Sequence, residues 1–64
     1  MANDALSLLV KQMEDEVKDV AAAILDGSCR DFAEYRWMAG RIYGLKVAQR
    51  TVGEMEKRLQ EAEE

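Results

Sequence analysis

Leu25-Asp-Gly-Ser-Cys29 is the one place where this chain of 64 residues stops reading as helix. Proline is absent, and the good helix formers Ala, Leu, Glu, Lys, Arg, Gln and Met dominate on both sides of the break. No apolar–polar alternation of useful length suggests a strand. The expected fold class is all-α, with helices at about 4–26 and about 31–61. A connection this short makes the helices antiparallel neighbours, so the expectation is one helical-hairpin domain over residues 1–64.

The first helix carries an unbroken heptad. Leu6, Val10, Met13, Val17, Val20 and Ile24 recur at alternating spacings of four and three, which places them on one stripe. Leu9 and Ala21 widen it, while Lys11, Glu14, Asp15 and Lys18 occupy the opposite side. Asn3 or Asp4 is suited to cap the N-terminus, and Gly27 to be the left-handed residue after the last turn.

The second helix opens on Asp31-Phe-Ala-Glu34, the spacing of a capping box, with Ser28 as the rival cap. Its stripe is less regular. Tyr35, Met38, Ile42 and Leu45 hold one heptad, and Ala48, Val52, Met55 and Leu59 hold another after a missed step. Such a shift turns the stripe around the helix. The hairpin core is therefore expected to be the six residues of the first helix with Tyr35, Met38, Ile42 and Leu45. Equal rise along both helices makes residue numbers across the hairpin sum to roughly 57, so Glu16 comes level with Arg41 and Val17 with Gly40. Residues 55 to 64 overshoot the first helix, as a frayed acidic tail or a second contact surface.

All four aromatic residues, Phe32, Tyr35, Trp37 and Tyr43, fall between Asp31 and Leu45, and they point in more than one direction. Gly40 and Gly44 form a small-xxx-small pair, extended by Ala48. Two glycines inside a helix cost about 1 kcal/mol each relative to alanine. Close approach of another helix would offset that; a bend or a tolerated surface pair is the plainer reading. Aromatic side chains beside arginine are enriched at the centres of protein interfaces. Trp37, Gly40, Arg41, Gly44, Ala48, Val52, Met55 and Leu59 are thus the expected contact surface. The rival reading has Trp37 capping the open end of the hairpin core.

A chain this short buries little surface and usually needs a staple or a neighbour. One cysteine cannot form an internal disulfide, and there is no histidine for a zinc site. Oligomerisation or docking on a larger assembly is the remaining route. No signal-peptide pattern is present, and Val20 to Leu25, the longest uncharged apolar stretch, is too short to span a bilayer. A soluble location inside a cell or a virion is expected, neither secreted nor membrane-bound.

The formal charge of −4 is patterned. Residues 1–27 carry −4, residues 28–50 carry +3 and residues 51–64 carry −3. The basic group Arg30, Arg36, Arg41, Lys46 and Arg50 is a poor phosphate tracker between two acidic thirds, so no nucleic-acid partner is expected; ion pairing to the first helix accounts for it. Catalysis lacks its commonest base, and Cys29 has no imidazole to activate it. The acidic clusters lack calcium-loop spacing. No catalytic residue, cofactor, metal or small-molecule substrate is expected.

Ser28-Cys-Arg-Asp-Phe-Ala-Glu-Tyr-Arg36 followed by Gly40-Arg-Ile-Tyr-Gly-Leu45 resembles a pattern in small helical-hairpin proteins of tailed bacteriophages. The resemblance spans residues 27 to 50 and rests on Asp31, Phe32, Tyr35, Gly40, Ile42, Gly44 and Leu45. It implies a phage context beside virion-structural genes, with partners being the chain itself or larger phage structural proteins, and it implies no reaction. The expected function is a non-enzymatic structural or assembly component of the head, portal or neck. The alternative is a small regulator that binds and inhibits a host protein.

Overall fold

A computed structural model describes residues 2–63, with side chains from 4 to 62. Two helices account for the fold, α1 (Ala2–Leu25) and α2 (Phe32–Glu63), packed as an antiparallel hairpin. At 1.5 Å per residue, the 32 residues of α2 extend about 48 Å. The molecule measures 50 × 15 × 11 Å, so α2 alone sets its long axis and α1 lies alongside.

Helix α1 begins earlier than the capping pattern implies. Asp4 sits within its first turn instead of ahead of it, where its charge still suits the helix dipole; the Asn3 side chain lies outside the described residues. The C-terminus is a Schellman motif. Gly27 adopts φ +84°, its amide donates to the Ile24 carbonyl at 3.3 Å, and the Ser28 amide donates to Ala23 at 3.1 Å. The Asp26 carboxylate accepts from the Ser28 amide at 3.0 Å and also from the Ser28 hydroxyl. A loop of this kind reverses the chain without an unsatisfied helix end.

At the start of α2, Asp31 rather than Ser28 is the cap: the Glu34 amide donates to its carboxylate at 2.8 Å. The return half of the expected capping box is replaced. Glu34 turns to Arg30, whose Nε donates to it at 2.8 Å, and this hydrogen bond and charge raise the Arg30 guanidinium above its usual pKa. Helix α2 then continues through Glu63, so the described part of the acidic tail is helical.

The core is thin. Val20, 8% exposed, is the single buried side chain among the described residues. Leu6, Val10, Met13, Val17 and Ile24 from α1, with Met38, Ile42 and Leu45 from α2, are half-buried around it.

Two expectations about the core are corrected. Tyr35 is 43% exposed and stacks on Phe32, with ring centroids 6.1 Å apart. At its level α1 presents Ala21, Ala22 and Ala23, and alanines cover little of a phenol ring. The seam of α2 also does not shift its phase. Half-buried positions continue as Met38, Ile42, Leu45, Gln49, Val52 and Glu56, an unbroken alternation of four and three. The matching row of α1 is a regular heptad on a rigid rod, so α2 must present an equally regular row, even where that row is polar. Val52 therefore belongs to the intramolecular seam, and the half-buried Ala48 borders it.

Candidate functional site

What remains outside the seam is the surface of α2 that α1 leaves uncovered. Its position follows from one contact: Arg41 donates to the Glu16 carboxylate, which sets the two helices at the expected register. One turn nearer the loop, that register places Trp37 level with Val20. Trp37 nevertheless remains 64% exposed, and it lies near the turn rather than at the open end. The Arg41 guanidinium stands 5.8 Å from the centre of its ring. Arg41 thus holds the indole against α2 while pairing across to α1, with both contacts open to solvent on one flank of the hairpin.

Along that flank, Trp37, Arg41, Gly44, Ala48, Thr51 and Met55 follow at spacings of four and three, so they form a second row beside the seam. Gly40 borders the row, and a Cβ added at either Gly40 or Gly44 would meet nothing within 4 Å. Neither glycine is required by packing inside this hairpin. Met55 and Leu59 are exposed beyond them, at 54% and 37%. A shallow cavity of about 570 Å³ lies beside Trp37 at the turn end, lined by Arg30, Asp31, Ala33, Glu34 and Met38.

Of the expected contact residues, Trp37, Gly40, Arg41, Gly44, Met55 and Leu59 stand exposed, whereas Ala48 and Val52 are turned partly toward α1. The overhang is not wholly unpartnered, because the Ser7 hydroxyl donates to Glu56. Helical side chains lean toward their own N-terminus. On antiparallel helices Ser7 and Glu56 therefore lean toward each other, and Glu56 meets a residue more than a turn nearer the loop.

A second exposed flank was hidden in the aromatic cluster. Phe32, Ala39, Tyr43, Lys46, Arg50 and Lys57 share another row of α2, with Tyr43 73% exposed. Its charged members Lys46, Arg50 and Lys57 are basic, and Glu61 continues the row one turn further. Leu25, beside the turn, is also largely exposed. Sequence spacing alone could have separated these rows, since they differ by more than a quarter-turn.

Chemistry beyond contact finds no assembled site among the described residues. No three His, Cys, Asp or Glu side chains converge to hold a metal. The Cys29 thiol donates to the Met38 sulfur at 3.3 Å, half-buried, as a small packed side chain. No helix is long and apolar enough to cross a membrane. Compared with known proteins, the chain matches no family model, no curated protein and no solved structure.

Proposed function

We propose that this hairpin works by helix-mediated protein contact and serves as a non-enzymatic structural or assembly component of a phage particle, associated with the head, portal or neck. The observation that carries the contact reading is the imbalance of burial: among the described residues one side chain is buried, while Phe32, Trp37, Tyr43 and Met55 each keep more than half their surface exposed. Isolated apolar residues on a surface are ordinary, but aromatic and apolar rows on two flanks of one helix mark contact surfaces. Two flanks also suit an assembly component, which touches neighbours on both sides.

The phage context rests on the resemblance carried by residues 27 to 50, and the contact reading does not depend on it. Mass spectrometry of purified particles of the encoding phage tests the assignment. The chain is expected at a stoichiometric level relative to a known ring or shell component. Its absence from intact particles removes the virion role.

A further inference from the structure

We propose that a second copy of this chain lays the outer face of its α1 along the Tyr43 flank of α2, running parallel to it. The proposal rests on the contact reading above and names the occupant of one of its two flanks.

Charge selects both surfaces. On the side of α1 turned away from α2, Asp4, Leu8, Gln12, Asp15, Asp19 and Ala22 form one exposed row, with Asp26 just past its end. No basic residue falls in that row. Lys11 and Lys18 lie along its edge and pair within α1, with Asp15 at 3.7 Å and Glu14 at 3.6 Å. The Tyr43 flank presents Lys46, Arg50 and Lys57, all exposed. Among the described residues these three and Asp19 make no ion pair. The acidic row faces away from α2, so it cannot neutralise the basic row of its own hairpin. It can meet that of another copy, where opposite charges attract.

Spacing sets the register. Asp15, Asp19 and Asp26 are separated by four and then seven residues, and Lys46, Arg50 and Lys57 repeat that order. With α1 of one copy parallel to α2 of the other, all three pairs come level together, because the rise per residue is the same. Reversed, the order becomes seven and four, and only two pairs align. The parallel register also sets Leu8, 57% exposed, beside Ala39 and within about one turn of Tyr43, 73% exposed. Glu61 then falls beyond the end of α1, level with the turn that carries Arg30.

Each copy offers its α1 face to one neighbour and its α2 flank to another. Such a heterologous contact propagates from copy to copy. A nucleic-acid backbone suits the flank less well, because Glu61 and the neighbouring Glu54, both exposed, interrupt its positive charge.

Light scattering of the full chain tests the contact. Its mass is expected to rise with concentration past that of two chains and to fall in high salt, which screens exposed charges. Asp19→Arg and Arg50→Asp are each expected to weaken association about fivefold, and an equimolar mixture of the two variants to regain it. Circular dichroism should show both variants folded, since both positions are exposed. In Cys29→Ser chains, Leu8→Cys is expected to form a disulfide with Ala39→Cys of another copy under mild oxidation. Bonding to Glu61→Cys instead would mean antiparallel helices and overturn the register. A mixture no stronger than its components overturns the charge argument. Retention on duplex DNA that Arg50→Asp abolishes, without self-association, would make the flank a phosphate surface and overturn the proposal. A monomer at all concentrations overturns the second copy altogether; if that monomer is nonetheless found in particles, the wider contact reading stands. A self-associating chain missing from particles supports this inference and removes only the virion role.

Discussion

Arg41 of α2 donates to the carboxylate of Glu16 of α1, twenty-five positions away in the chain, and this contact joins the two helices on the flank that bears Trp37. The same guanidinium lies over the indole. Both charged groups are close to half exposed, so solvent screens the pair and its contribution to stability stays below about 1 kcal/mol. Its larger effect is on position, since it keeps Trp37 along the helix instead of free to swing.

Replacing Arg41 by Met, which keeps most of the stem and removes the charge, is therefore expected to cost about 1 kcal/mol in urea unfolding of the isolated protein. Trp37 fluorescence is the sharper readout. Acrylamide quenching is expected to increase once the cation is gone. Unchanged quenching together with a large loss of stability would mean that Arg41 acts through packing alone.

Val20 is where the hairpin has least to spare. Val20→Asp places a charge without a partner in the buried position and is expected to cost about 3 kcal/mol or more, enough to unfold a domain of this size. Circular dichroism should show most of the helical signal lost at neutral pH. Retention of full helix content would place the stabilising contacts elsewhere.

Gln49 occupies a seam position that the apolar pattern skips, and it is half-buried. Gln49→Leu is expected to raise stability by about 1 kcal/mol through added apolar burial. Thermal denaturation measures this directly. A loss of stability would indicate that the α2 row facing α1 is not the one described.

The same substitution at two glycines is expected to act with opposite sign. Gly27→Ala forces a Cβ into φ +84° and should destabilise by about 1 kcal/mol. Gly40→Ala adds a methyl group in open space and should stabilise the helix by about 0.5 to 1 kcal/mol. Chemical denaturation of both variants, in dilute solution where association is weak, checks the pair. Equal effects would contradict the turn geometry.

Gly44→Leu separates folding from association. No atom of the hairpin blocks a side chain there, so helix content is expected to persist. Close approach of another helix would be obstructed at a cost of about 1 to 3 kcal/mol, at least a fivefold loss of affinity. Incorporation of the variant into particles reads this out. Unaltered incorporation would remove the small-residue centre from the contact.

The turn and the first helix were legible because their signals are local. Gly27 reads as the end of a helix since other residues pay a steric penalty at positive φ, and the row from Leu6 to Ile24 is apolar at each step. The cap at Asp31 was equally readable. Its reciprocal bond was not, because Arg30, four residues ahead of Glu34 and outside the helix, takes that carboxylate away from the cap. In the second helix, Met55 and Leu59 drew the apolar pattern away from Gln49 and Glu56, and Tyr35 looked like core because it falls in phase with Met38.

Local propensity and the single break after Leu25 determined two helices, their approximate limits and their antiparallel pairing. Only the tertiary structure decided which side of α2 is covered. Apolar groups lie around much of that helix, so its own pattern does not select a face. The straight, regular row of α1 selects it instead, drawing polar Gln49 and Glu56 toward the seam and leaving Trp37, Tyr43 and Met55 outside.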